Sequence, residues 1–167
     1  MLKIARAVTV SLGLVALFGA VGLAGQKEAQ EEPLKLIKAA NHLESAPLAK
    51  DAKETRSWAL KWLIQTDKVS VKVCSFITSG LDKKYKYTSE VFSQYTIGMA
   101  AFKLSNPTLA NDEELVQLSG VRSALRAYAT MAGEQPKAKN EFLDDLLARR
   151  ADGSLGKFVA QNNCKGD

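Results

Sequence analysis

The sequence has very few of the residue types that build metal and redox centres. Its 167 residues include one histidine, His42, and two cysteines, Cys74 and Cys164. Zinc sites, haem c attachment and thioredoxin-like motifs need cysteines or histidines paired at short spacing, and no such pair occurs in the sequence. We therefore predict neither a metal ion nor a cofactor.

Catalytic groupings are equally scarce. A serine or cysteine nucleophile needs a base, and His42 is an isolated residue on a predicted amphipathic helix. Neighbouring carboxylates occur at Asp112–Glu114 and at Asp144–Asp145. The first group falls at a predicted helix start, where negative charge is stabilising, and the second lies on the exposed side of a predicted helix. We predict no catalytic residue.

The sequence also lacks a concentrated block of one charge. It has 23 Lys and Arg against 18 Asp and Glu, which gives a net charge of +5. Nucleic-acid binding requires a dense basic face rather than a mild excess of this kind. The composition is otherwise that of an ordinary folded protein, and we predict no nucleic-acid partner.

The one long apolar run lies at the N-terminus. Lys3 and Arg6 precede an uncharged, largely apolar stretch at residues 7–18, and small residues follow it. This order of positive charge, apolar run and small residues is typical of a signal peptide. We predict a signal peptide over residues 1–24, cleaved after Ala24.

Two alternatives remain for this segment. Cleavage after Gly22 would satisfy the same requirement for small residues. An uncleaved membrane anchor is the other alternative, because residues 7–23 reach the short end of the length that spans a bilayer. The protein would contact a membrane only in that second case. The sequence otherwise predicts a periplasmic or secreted protein.

The chain that would remain after cleavage is long enough for one domain. It has 143 residues and a net charge of +3, because the signal peptide carries Lys3 and Arg6. Residues 25–32 are polar and predict a loose tether, and Pro33 suits the first position of a helix. We therefore predict a single domain over residues 33–167.

Helical spacing of apolar residues dominates that domain. In the clearest stretch, residues 88–106, Lys103 is the one charge between Val91 and Leu104, which predicts a helix buried on most sides. Similar spacing elsewhere predicts an all-α fold, either a single-domain helical bundle or a short α-solenoid of about six to seven helices. One apolar stripe of the central helix consists of Phe92, Tyr95, Met99 and Phe102.

Two glycines interrupt predicted helices. Gly98 lies in the central helix, and Gly120 lies in a later helix whose predicted buried side includes Leu115. Glycine lowers helix propensity, so close approach of a neighbouring backbone is a reason for its presence. We therefore predict that these two helices cross at the glycines. A further helix is predicted to begin at Pro136.

Residues 68–79 carry two conflicting patterns. Valines alternate with polar residues from Val69 to Val73, as in a strand. The same two valines also share one side of a helix with Phe76 and Ile77. A lone strand would leave its backbone groups unpaired, so we favour a helix, with a strand as the alternative.

The two cysteines are predicted to pair. In an oxidising compartment, two thiols in one small domain most simply form a disulfide. The alternative is two independent thiols, with Cys74 buried and Cys164 on a loose polar tail. A Cys74–Cys164 bond would hold that tail and the last predicted helix against the core.

One short segment has the composition of a binding loop. Lys83, Lys84, Tyr85, Lys86 and Tyr87 directly precede the central helix. Such a loop can contact an anionic surface, for example a polysaccharide, a phospholipid or an acidic protein. The alternative is a solvated connector whose tyrosines cover the edge of the core, because three lysines are few for an electrostatic site.

These patterns favour a binding or structural module over an enzyme. We predict an exported helical protein of the bacterial envelope or secreted space that acts through protein–protein interaction with an unknown protein or envelope component. A periplasmic chaperone-like stress protein that binds unfolded clients is the first alternative, and it would present an exposed apolar patch. An unrecognised hydrolytic enzyme is the less favoured alternative.

Overall fold

The computed structural model describes residues 21–81, 83–162 and 164. Within these residues the chain forms seven α-helices and no strand, so the predicted all-α fold is confirmed. Two short 3₁₀ helices, Pro107–Leu109 and Pro136–Ala138, precede α5 and α6. The α-helices are α1 (Val21–Ser45), α2 (Ala52–Gln65), α3 (Phe76–Ser79), α4 (Thr88–Ser105), α5 (Glu113–Glu134), α6 (Glu141–Ala151) and α7 (Leu155–Asn162).

Helix α1 is already formed at Val21, the first described residue, and Pro33 lies inside it, so the prediction that a helix starts at Pro33 is wrong. Residues 25–32, predicted as a loose tether, belong to this helix, and all but the first are Gln, Lys, Glu or Ala, which favour helix. Glu32 fastens this part of α1 to α2, because its Oε2 accepts a hydrogen bond from Trp62 Nε1 at 2.7 Å. The predicted signal peptide lies almost entirely outside the described residues and stays a prediction.

Helix α4 is the centre of the fold, as its composition predicts. Every residue from Ser93 to Ala100 is buried. Tyr95 and Met99 belong to a core that is completed by α5, α6 and α7. Ile97 and Ala100 belong to a second core, which is formed with α1 and α2. Because a core lies on each side, α4 is apolar around most of its circumference.

Helices α4 and α5 cross closely at Gly98 and Gly120, as predicted. A Cβ atom at Gly98 would lie 2.3 Å from Ser123 Cβ and 3.5 Å from Gly120 Cα. A Cβ atom at Gly120 would lie 2.5 Å from Met99 Cγ and 2.8 Å from the carbonyl oxygen of Tyr95. These gaps are too short for a side chain, so glycine is a packing requirement at both positions.

Two details of α5 and α6 differ from the sequence prediction. Leu115, predicted to be buried, is 36% exposed, whereas Val116 is fully buried. Asp112 sets this register by accepting a hydrogen bond from the Leu115 N–H at 3.0 Å, as an N-terminal cap does. Pro136 begins a 3₁₀ helix rather than α6, which is capped by Asn140 instead.

Residues 68–75 form neither the favoured helix nor the alternative strand, and only Phe76–Ser79 of the ambiguous segment is helical. The backbone oxygen of Lys72 accepts a hydrogen bond from Gln117 Nε2 at 2.6 Å. Gln117 in turn accepts a hydrogen bond from the Tyr95 hydroxyl. A buried side chain of α5 thus satisfies a backbone group that would otherwise need a partner strand or a helix turn.

Cys74 and Cys164 form a disulfide, which confirms the predicted pairing. Their Cα atoms are 4.8 Å apart, within the range of ordinary disulfides, although 90 residues separate them in the sequence. Cys74 is fully buried, and Leu155 and Val159 of α7 are buried as well. The bond therefore attaches the end of α7 to the middle of the chain.

Candidate functional site

The predicted binding loop, residues 83–87, lies between α3 and α4 and is held by its two tyrosines. The Tyr85 hydroxyl donates to the Ala138 carbonyl oxygen at 2.7 Å. The Tyr87 hydroxyl donates to Gln135 Oε1 at 2.5 Å, and Tyr87 is only 5% exposed. Both hydroxyls therefore fasten the loop to the connector between α5 and α6, and neither is free to bind a ligand.

The Tyr85 hydroxyl remains a hydrogen-bond donor in this arrangement. Burial raises the pKa of Tyr85 well above its ordinary value, and the electrostatic influence of the neighbouring Tyr128 adds to the rise. The hydroxyl consequently stays protonated at physiological pH. Its bond to Ala138 keeps the loop and the connector side by side.

The connector is itself fixed by Tyr128 of α5. The Tyr128 hydroxyl donates to Asp144 Oδ1 at 2.6 Å and accepts from the backbone N–H of Asn140 at 2.9 Å. Burial, together with the bond to Asp144, raises the pKa of Tyr128 to about 12. Asn140 also caps α6 by accepting from the Leu143 N–H at 3.2 Å. The connector is therefore held at its Asn140 end by both α5 and α6.

Fastening the loop to the connector places five lysines on two adjacent segments. Lys83, Lys84 and Lys86 are exposed on the loop, and Lys137 and Lys139 are exposed on the connector. We call these five residues the lysine surface. Sequence reasoning found the first three and missed the other two, because no local pattern indicates that the two segments meet.

A cleft of about 660 Å³ opens between the loop and the connector. Lys84 and Lys139 line it together with the aromatic rings of Tyr85 and Phe142. Its lining residues thus include two lysines and one carboxylate, that of Glu141. The site combines exposed cations with a partly apolar recess, and it holds no group arranged for bond making or breaking.

The residues weighed for catalysis have structural partners in separate parts of the fold. His42 lies on α1, with its Nε2 3.1 Å from Asp51 Oδ2. Asp145 pairs with Arg149 at 2.7 Å along α6, and Asp112 caps α5. These interactions give His42, Asp145 and Asp112 a structural role that needs no substrate.

The tryptophan pair of α2 contributes mainly to packing. The rings of Trp58 and Trp62 are stacked with centroids 6.4 Å apart, and Trp62 is 7% exposed. Trp58 also lines a shallow cleft of about 450 Å³ between α1 and α2, where Lys35 Nζ lies 4.1 Å from its ring centroid. A cation over an indole face in this way is a modest stabilising contact between the helices.

The described residues form neither a metal-binding cluster nor a membrane-spanning helix. Across residues 21–81, 83–162 and 164, no group of three or more His, Cys, Asp or Glu side chains is placed to hold a metal ion. In the same part of the chain, no helix has both the length and the apolar character needed to cross a bilayer.

Comparison with known proteins assigns no family to the chain. No protein-family model, curated protein or solved structure matches it. A helical fold by itself supports many unrelated activities, so function lies in the arrangement of the protein's own residues.

Proposed function

We propose that this protein is an exported helical binding module of the bacterial envelope or secreted space that acts through protein–protein interaction. Its proposed contact is the lysine surface, and its proposed partner is an acidic protein. The observation that carries the proposal is the pair of hydrogen bonds from Tyr85 and Tyr87, which joins two lysine-bearing segments. Clustered charge on a fixed backbone attracts and orients a partner of opposite sign.

The cleft beside these lysines favours a protein over a uniformly charged polymer. Its lining includes the aromatic residues Tyr85 and Phe142 together with Lys84 and Lys139. Protein interfaces commonly bury one apolar anchor within a polar rim, and a recess of this composition suits such an anchor next to acidic residues. A polysaccharide or a phospholipid headgroup layer would use the charge without needing the aromatic recess.

The chaperone-like alternative has less support. Binding of unfolded clients would use a contiguous exposed apolar patch. In the described part of the chain five large apolar side chains are exposed, and no segment carries two of them. They are Leu34, Ile64, Val73, Leu109 and Leu115.

Reversal of charge on the connector is expected to weaken partner binding strongly. In the Lys137→Glu, Lys139→Glu variant, capture of the acidic partner from an envelope extract should fall by about tenfold or more, because electrostatic attraction contributes at least that factor to association. The matched control is Lys53→Glu, Lys61→Glu, which changes the same charge at exposed positions of α2. Quantitative mass spectrometry of the captured proteins measures the difference.

A second charge variant tests whether the loop contributes to partner binding as well as the connector. Lys83→Glu alters the loop alone and should weaken capture of the same partner, since the proposal needs both segments. Equal capture by the parent and the connector variant would refute the proposal. Equal loss in the α2 control would refute it too, because net charge would then be the cause.

Export is supported by the disulfide, because such bonds persist in oxidising compartments. We expect the protein produced from all 167 residues in a bacterial host to be recovered outside the cytoplasm with its N-terminus near Gly25. Intact-mass measurement of the recovered protein checks the cleavage position. A membrane-bound product that retains Met1 would show instead that the segment is an anchor.

A further inference from the structure

A third cleft, of about 290 Å³, lies where α1, α4 and α5 meet. No residue of the lysine surface lines it, so it is a separate feature of the molecule. One part of its lining is apolar and includes Ile37, Ala101 and Phe102. The other part is polar and includes Asn41, Ser119 and Arg122. An amphiphilic lining of this kind is typical of sites for small organic molecules.

Two charged residues of the cleft neutralise each other. The guanidinium group of Arg126 makes two hydrogen bonds to the Glu44 carboxylate. Nε donates to Oε2 and Nη2 donates to Oε1, each at 2.6 Å. The Ser123 hydroxyl donates to the same Glu44 Oε1 at 2.6 Å. This carboxylate is therefore fully occupied by protein donors, and it does not repel a bound anion strongly.

Arg122 is the cation of the cleft for which the described residues supply no ion-pair partner. It lies one helical turn before Arg126 on α5, it is exposed, and it forms no ion pair with any described residue. With Arg126 and Glu44 paired, the lining carries one net positive charge. A ligand with a single negative charge matches that balance.

The walls of the cleft are held in place before any ligand arrives. Gln94, which is 2% exposed, donates through Nε2 to the Ala40 carbonyl oxygen at 3.0 Å and to Ser123 Oγ at 2.8 Å. It thereby connects α4 to a lining residue of α1 and to one of α5. The close crossing at Gly98 fixes the spacing of α4 and α5. A preformed site loses little free energy to ordering when it binds.

We propose that this cleft binds a small monocarboxylate with a compact apolar body. Arg122 binds the carboxylate, because a guanidinium group presents paired N–H donors that match its two oxygens. Phe102 and Ile37 pack against the apolar body, and the hydroxyl and amide groups of Ser119 and Asn41 lie on the polar side. The volume is near the lower end for ligand sites, which restricts the ligand to small metabolites.

The proposal is tested with benzoate as the probe and benzamide as its neutral counterpart of the same shape. Each is titrated into the ¹⁵N-labelled full chain, and backbone amide shifts are followed by NMR. Benzoate should cause saturable shifts at Gly98, Phe102 and Ser119. Benzamide should bind at least about tenfold more weakly, because it cannot form the charge-assisted hydrogen bonds.

Two arginine variants then locate the carboxylate. Arg122→Gln should weaken benzoate binding by about tenfold or more while it leaves the weak binding of benzamide unchanged. The control is Arg150→Gln, an exposed position on α6 that does not line the cleft, and it should bind benzoate like the parent. The proposal is overturned if benzoate shifts do not saturate at the cleft, if benzamide binds equally well, or if Arg122→Gln has no effect.

Discussion

Substitution of Met99 by aspartate is expected to destabilise the protein by about 3–5 kcal/mol, because an uncompensated charge would enter the core. Met99 is fully buried, and its Cγ lies across the space that Gly120 leaves open on α5. A carboxylate there would have no room for water and would face apolar residues of both helices. Thermal unfolding should shift down by at least about 10 °C.

The control for this experiment is Met99→Leu, which keeps a similar volume and no charge. It should cost less than about 1.5 kcal/mol. Both variants are compared by circular dichroism during heating and in denaturant. If Met99→Asp melts together with Met99→Leu, position 99 is hydrated and α4 is not the enclosed centre of the fold.

Loss of the disulfide is expected to have the second large effect. The bond closes a loop of 90 residues in sequence separation, and chain-entropy reasoning gives an upper contribution of about 4–5 kcal/mol for a loop of that length. In the Cys74→Ala, Cys164→Ala variant, the end of α7 would no longer be attached to the segment that leads into α3. We expect the unfolding midpoint in denaturant to fall accordingly.

Reduction of the parent protein supplies the comparison for that variant. A reductant should lower the stability of the parent nearly to that of the double variant, and it should leave the variant itself unchanged. Non-reducing peptide mapping of the parent should find one crosslinked peptide that contains Cys74 and Cys164. Two freely alkylatable thiols in the exported protein would contradict both the bond and its expected contribution.

Local sequence predicts well the parts of the fold where apolar residues recur at helical spacing or where a glycine is needed for close helix packing. The apolar stripes of residues 88–106 predict α4 and its burial, because such a helix must be enclosed on most sides. Gly98 and Gly120 indicate the crossing of α4 and α5. Glycine lowers helix propensity, so its presence within a helix indicates a position where a neighbouring helix leaves no room for a side chain.

The errors arise where tertiary contacts override a local signal. Pro33 resembles a helix start, but a run of strong helix formers precedes it and Glu32 is bonded to Trp62. The valines of residues 68–75 resemble a strand or a helix, yet the segment is irregular, and the Lys72 carbonyl oxygen accepts a hydrogen bond from Gln117 of α5. Both segments thus contact a residue that is distant in the sequence, which no local pattern indicates.

The candidate site, too, is only partly recognisable from the sequence. Lys83 to Tyr87 can be recognised from composition, and the structure assigns their tyrosine hydroxyls to anchoring bonds with Ala138 and Gln135. Lys137 and Lys139 join the surface only through those bonds. A charge cluster formed by two separate segments has no sequence pattern, because each segment alone carries too few lysines to be distinctive.

The sequence by itself determined the helical class, the central position of α4, the close helix crossing and the pairing of the only two cysteines. These follow from the apolar period, from the size of glycine and from the number of thiols, which are all local or compositional properties. Tertiary structure alone decided the lysine surface and the cleft at Arg122. Both depend on which helices and loops become neighbours, and adjacency between distant segments is settled by packing of the whole core rather than by any segment's own residues.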